Sequence, residues 1–321
     1  MQRLASEGNG VTARPGELAA LRQGARQLEL GAPRRVHTPL AGPYLSPFRG
    51  RGLDFEEVRG YQPGDDVRHI DWRVTARTGR AHSKVFHEER DRPLWLLLDA
   101  GPSMHFGTRR AFKSVAAARA AALLAWAAQL AGDPLGGLAV SWSGLSEIPA
   151  GSGERHLMDV LAAFARATEE PGGDAAAQDG EPANVSVPEA LLRLRRRARS
   201  GSRVFVLSDF YGFGEEWRSQ LSDLGRRCDL SCVLVYDALE AAAPPSGRYR
   251  VSDGRSTRTI STGGGHQRAA WSSRFEQRRD ELSDFCRSQR IELLPLRTDV
   301  DSAEVLAGSR HPRRRMHGRA R

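Results

Sequence analysis

The sequence predicts an α/β fold, a mostly parallel sheet with helices on both faces, preceded by a small β-rich segment. Two short apolar runs, Leu94-Trp95-Leu96-Leu97-Leu98 and Arg203-Val204-Phe205-Val206-Leu207, have the length and continuity of strands buried on both faces. Strand and helix patterns alternate from Pro93 to Leu296, the order that builds a parallel sheet. Each run ends in a polar cluster, Asp99 to Ser103 and Ser208-Asp209, where ligands of parallel α/β sheets sit.

The elements follow in order. Pro15 to Leu30 reads as a helix, opened by a proline and apolar along Leu18, Leu21, Ala25 and Leu28. Pro33 to Arg51 is a Pro- and Gly-rich linker, so 1–50 is a helix plus linker. Residues 51–92 should hold short strands around a turn at Pro63-Gly64-Asp65-Asp66 and pack on the next domain. The α/β domain spans 93–308. Its first strand leads into a helix from about Arg109 to Leu130. Gly136 to Trp142 is the next strand, with Leu145 to Pro149 as its hairpin partner. Arg155 to Ala167 is a helix with Leu157, Val160, Leu161 and Phe164 on one face. Glu169 to Asn184 reads as a mobile loop, and Pro188 opens a helix to about Arg199. Helix Glu215 to Leu224, strand Leu230 to Tyr236, strands near Tyr249 and Thr259, helix Trp271 to Arg290 and strand Ile291 to Leu296 complete it.

Charge adds little about partners. The chain carries +9, but six arginines between Arg310 and Arg321 leave +3 for the rest. That tail, 309–321, reads as disordered. It also lacks the aromatic residues that stack on single strands, so nucleic acid is not the expected partner. Three cysteines without metal-ligand spacing read as buried thiols. His82 and His87, five apart, would point to opposite faces of a strand and cannot ligate together. Met1 to Asn9 is polar, and the apolar stretch from Val115 to Ala131 is broken by Arg119 and Gln129. No stable membrane insertion is expected, and the chain reads as cytoplasmic.

Strand–Asp-x-Gly-x-Ser is the most chemical of the motifs. Asp99, Ser103 and Asp209 gather hard oxygens at strand ends, a set suited to Mg²⁺. This pattern resembles the metal-ion-dependent adhesion site of von Willebrand factor A domains. In that resemblance Asp99 matches the aspartate, Ser103 the second serine and Asp209 the last aspartate. Gly101 stands where the first serine belongs, and Val185 or Ser186 where the threonine belongs. The site is therefore degenerate, and no cofactor is required by the pattern, with Mg²⁺ the one candidate.

The preceding stretch carries a longer pattern: Arg59-x-Tyr61-x-Pro63-Gly64-Asp65-Asp66-x-Arg68-x-Ile70-Asp71-Trp72, then Ala76-Arg77. It resembles the bacterial domain-of-unknown-function family fifty-eight. The resemblance runs from about Gly42 to Leu306 and takes in Lys113-Ser114 and Asp237-x-x-Glu240. The N-terminal helix and the arginine tail lie outside it. Physically, Asp65 and Asp66 suit the amides of a tight turn, and Arg68 and Arg77 suit bidentate pairing with Asp66, Asp71 or Glu89. Trp72 suits an apolar anchor. A structural brace and a partner-binding surface both remain open for Arg59, Tyr61, Gly64, Asp65, Asp66, Arg68, Asp71, Trp72 and Arg77.

The resemblance implies a non-enzymatic protein-binding adaptor. Members of that family are often encoded beside MoxR-type AAA+ ATPases, so the implied partner is such an ATPase in protein maturation or remodelling. Two alternatives follow from the residues: a metal-dependent hydrolase using Asp99, Ser103 and Asp209, and a nucleic-acid-associated protein using the arginine tail.

Overall fold

The computed structural model describes residues 9–28, 53–62, 67, 70–88, 92–169, 185–252 and 257–308. The linker expected at 33–51, the loop centred on 170–184 and the basic tail lie outside them, as do Gly64, Asp65, Asp66 and Arg68. The chain divides into two compact units, residues 37–91 and the remainder.

The smaller unit pairs β1 (Leu53–Gly60) with β2 (His82–Glu88) in antiparallel register, Gly60 opposite His82. Between them lies a helix not expected from the sequence, α3 (Trp72–Thr78). Asp71 forms its N-cap, accepting from the backbone N–H groups of Arg73 at 3.0 Å and Val74 at 3.1 Å. Gly79 ends it in the left-handed conformation (φ 69°) that glycine adopts without steric cost. Trp72 is 69% exposed and so is not the buried anchor its size suggested.

The larger unit is built on a six-stranded sheet in the order β10-β7-β6-β3-β4-β5. These strands are β3 (Leu94–Asp99), β4 (Leu135–Ser141), β5 (Gly144–Gly151), β6 (Arg203–Ser208), β7 (Asp229–Tyr236) and β10 (Glu292–Arg297). All neighbours are parallel except the β4–β5 hairpin at one edge. The expected α/β class is the observed one. β3 lies inside the sheet between β6 and β4, so every residue from Leu94 to Asp99 is buried, which is why it is apolar without alternation. β5, at the edge, is buried only at Gly144 and is otherwise half-buried or exposed. Gly136 pairs with Trp95, and a Cβ there would meet the indole at 2.5 Å, so the ring lies flat across a residue that has no side chain.

Leu94, Leu96 and Leu98 face one apolar cluster with α4 (Lys113–Ala131) and α5 (Glu154–Ala167). Trp95 and Leu97 face the other, with α6 (Val187–Arg197), α7 (Glu215–Arg227) and α9 (Gly265–Gln289). Helix α4 is long and apolar enough to cross a membrane, but 78% of that stretch is buried in the protein. It begins at Lys113 rather than near Arg109, because residues 106–112 fold back on themselves. A Cβ on Gly107 would come within 2.1 Å of the Ala111 carbonyl oxygen.

The N-terminal segment joins this core. The single helix expected to Leu30 breaks at Leu21 into α1 (Pro15–Ala20) and α2 (Arg22–Ala25). Leu18 is fully buried, the Trp126 indole N–H donates to its carbonyl at 3.2 Å, and Arg119 pairs with Glu17. Three short elements complete the unit: α8 (Ala238–Ala241), the hairpin β8 (Arg248–Ser252)–β9 (Thr257–Ser261), and α10 (Ser302–Gly308) against α4. The three cysteines are buried free thiols. A hydrogen bond with Cys286, together with burial, pushes the Cys232 thiol up, and burial pushes Cys228 up to about 11.

Candidate functional site

The three predicted oxygen donors meet at the carboxyl ends of β3 and β6. Asp99, the last residue of β3, is 5% exposed. Its Oδ1 accepts from the Gly101 N–H at 2.9 Å and its Oδ2 from the Ser208 hydroxyl at 2.6 Å. Asp209, which follows β6, is 1% exposed, and its Oδ1 accepts from the Ser103 hydroxyl at 3.2 Å and the Tyr211 N–H at 2.9 Å. Ser103 sits in the 3₁₀ turn Pro102–Met104 that opens the loop after β3.

A residue outside that predicted set holds the centre. Lys113, the first residue of α4, is 2% exposed, and its Nζ donates to Asp209 Oδ2 at 2.7 Å and to Glu240 Oε1 at 2.9 Å. A cation at a helix N-terminus opposes the helix dipole. Its burial there is stable only because two carboxylates face it. Glu240 in turn lies 3.7 Å from Arg278 and closes a capping box with Asp237 at the start of α8.

Asp237 ties the loop before α4 to this cluster. It is fully buried and accepts from the Thr108 N–H at 3.0 Å, the Thr108 hydroxyl at 2.6 Å and the Thr298 hydroxyl at 2.8 Å. Burial opposes its charge, but hydrogen bonds from Thr108, Leu239 and Thr298 outweigh burial and hold the carboxyl below its ordinary range. Thus Lys113, Asp237 and Glu240, noted in the sequence only as parts of a pattern, form one ionic cluster with Asp209.

Asp99 behaves differently. Burial pushes its carboxyl up to about 6, and the Asp209 carboxylate adds to the shift against the opposing bonds from Ser208 and Gly101. Since the folded value lies above the unfolded one, the folded state holds this proton longer. The group's destabilising effect therefore grows as pH rises from about 4 to about 6, and is complete above that. Asp99→Asn keeps the shape and removes the charge. It should stabilise the protein relative to wild type above pH 6 by more than at pH 4, as read by urea unfolding at both values. An equal difference at the two pH values would contradict this titration.

Beside these residues opens a cleft of about 500 Å³ between the loop after β3, the start of α6 and the turn after β6. Val185 and Ser186 line its far wall, but the Ser186 hydroxyl is the N-cap of α6, accepting from the Glu189 N–H at 3.3 Å. Glu215 and Glu216 line it from the first turn of α7, where the helix dipole favours acids. Sequence reasoning did not single out Phe210 and Tyr211. Phe210 has φ 51°, an uncommon left-handed value for a bulky residue. Its fully buried ring holds this geometry, packed 5.2 Å from Trp217 and 6.4 Å from Phe213 between centroids. The turn that results leaves Tyr211, on the cleft wall, 69% exposed. No signal in the linear sequence distinguished this tyrosine from any other loop aromatic.

In the other unit, Tyr61 is half-buried and its N–H donates to the Ala81 carbonyl at 2.8 Å. Arg59 lies on β1, while Asp71 and Arg77 lie at the N-cap and in the last turn of α3.

Comparison with known proteins places the chain. Residues 57–281 match the family described as "Protein of unknown function DUF58", a narrower span than Gly42 to Leu306. "Uncharacterized protein Rv1480" of Mycobacterium tuberculosis (strain ATCC 25618 / H37Rv) is 30% identical over 231 residues, 72% of this chain and 70% of that protein. "Uncharacterized protein Mb1516" of Mycobacterium bovis matches to the same degree, 30% over 231 residues. Among solved structures, the conserved hypothetical protein BatB from Bacteroides thetaiotaomicron aligns with TM-score 0.38 and 13% identity, over 68% of this chain and 95% of that one. An aerotolerance-related membrane protein from Bacteroides fragilis aligns with TM-score 0.36 and 11% identity, over 68% and 96%. With a match across more than half of its length, the chain belongs to the DUF58 family.

Proposed function

We propose that this chain is a non-enzymatic, cytoplasmic protein-binding adaptor without stable membrane insertion. In this reading its larger unit is von Willebrand factor A-like, and its partner is a MoxR-type AAA+ ATPase acting in protein maturation or remodelling. The observation that carries the reading is the cleft at the strand ends, bordered by an exposed aromatic on a rigid turn. Tyrosine is among the residue types enriched at the hot spots of protein contacts.

The internal bonding of the site supports a role in contact rather than catalysis. The Ser103 hydroxyl donates to Asp209, whose other oxygen is held by Lys113, so that carboxylate is committed to a salt bridge rather than poised as a base. His105, near in sequence, accepts at Nδ1 from the Trp142 indole N–H at 3.1 Å. Among the described residues no hydrogen bond joins it to Ser103.

Affinity capture of the tagged chain from its native host tests the reading. Wild type should recover a MoxR-type ATPase. Tyr211→Ala, at an exposed position, should leave the fold intact and lower recovery by about tenfold or more, the loss typical of a hot-spot aromatic. Undiminished recovery would move docking elsewhere, with the Tyr61 to Arg77 segment next to be tested. Absence of the ATPase from every capture would remove this partner.

A further inference from the structure

We infer that the Lys113 ammonium is the resident cation of the strand-end site, neutralising the Asp209 carboxylate that a divalent ion would otherwise bind, so that the site works without metal. This goes beyond the adaptor reading and does not depend on it. Among 48 basic residues only Lys84 and Lys113 are lysines, and Lys113 is buried to 2% at the positive end of α4. A strongly hydrated ammonium is costly there unless carboxylates replace its water, as Asp209 and Glu240 do at 2.7 and 2.9 Å.

Much of the lone-pair capacity a metal would use is already taken, by three donors on Asp209 and two on Asp99. Mg²⁺ demands near-octahedral oxygen ligands and binds through unoccupied carboxylate lone pairs. Asp209 accepts from Ser103, Tyr211 and Lys113, and Asp99 accepts from Gly101 and Ser208. At the position where the adhesion-site pattern has its first serine, Gly101 has no side chain and so supplies no hydroxyl oxygen to a metal. Among the described residues no three His, Cys, Asp or Glu side chains are grouped to hold a metal ion. A divalent ion at Asp209 would also face a buried ammonium of like charge. The ligand set therefore does not fit Mg²⁺, and the charge that an ion would supply is supplied by the chain.

Labelling the full chain with ¹⁵N-lysine gives two ammonium signals, one from each lysine, and Mn²⁺ is the probe. In wild type, millimolar Mn²⁺ should leave the Lys113 signal unbroadened, and calorimetry should detect no saturable Mn²⁺ binding. Lys113→Ala frees the second carboxylate oxygen of Asp209, and should gain one saturable Mn²⁺ site that is lost again when Asp209→Asn is added. Dose-dependent broadening of Lys113 in wild type, or wild-type binding abolished by Asp209→Asn, would overturn the inference. So would a folded Lys113→Ala chain that takes up no Mn²⁺. If Lys113→Ala does not fold, the wild-type spectrum alone decides. Failure to capture the ATPase would leave each of these outcomes unchanged.

Discussion

Lys113→Met should cost about 3–5 kcal/mol of stability at neutral pH, the range for removing one partner of a buried ion pair. The size follows from what is left behind. Asp209, 1% exposed, loses the one cation that contacts it among the described residues, while Glu240 keeps Arg278 at 3.7 Å. Most of the penalty therefore falls on Asp209. Adding Asp209→Asn removes the stranded charge and should restore a large part of the loss, because an amide still accepts from Ser103 and Tyr211. Urea unfolding of wild type, both single variants and the double variant gives the coupling directly. If the effects of the two substitutions simply add, the pair is not coupled and the cluster is not organised around Lys113.

Leu18→Ala is the second large effect, about 2–5 kcal/mol by the usual cost of emptying a buried leucine site. Leu18 lies outside the matched residues 57–281, yet it is fully buried in the same apolar cluster as Val115 and Leu123 of α4. Its backbone carbonyl receives the Trp126 indole N–H, so the surrounding wall is held in place and collapses little into the cavity. Leu21→Ala, at a partly buried position against the same cluster, should cost distinctly less. Equal small losses at both positions, measured by thermal or urea unfolding, would mean that residues 9–28 do not contribute to the core.

Much of the fold was legible because it rests on local pattern. Continuous apolar runs reported β3, β6 and β7, strands with neighbours on both sides, and the polar residues after β3 and β6 marked where the site would lie. Asp99, Ser103 and Asp209 do converge there. The cation paired with Asp209 was not legible, since its partners Asp209 and Glu240 lie 96 and 127 residues away in sequence. Nothing local marks a lysine as buried when two arginines lie three and four residues before it. The break at Leu21 and the left-handed Phe210 escaped for a related reason. Both are set by what the side chains pack against, Leu18 on α4 and Phe210 on Trp217. Helix α3 was missed because its seven residues are too few for a periodic face, and its cap, Asp71, was assigned to ion pairing instead.

The central claim is that the strand-end cleft is a docking face for the ATPase. Photocrosslinking in the native host tests it most directly, with the photoreactive residue placed at Tyr211 in one chain and at Leu130 in another. Both positions are exposed, and Leu130 lies in the last turn of α4, far along the helix from Lys113. The account predicts a crosslink to a MoxR-type AAA+ ATPase from position 211 and none from position 130. A crosslink to the ATPase from position 130 with none from position 211 would contradict it.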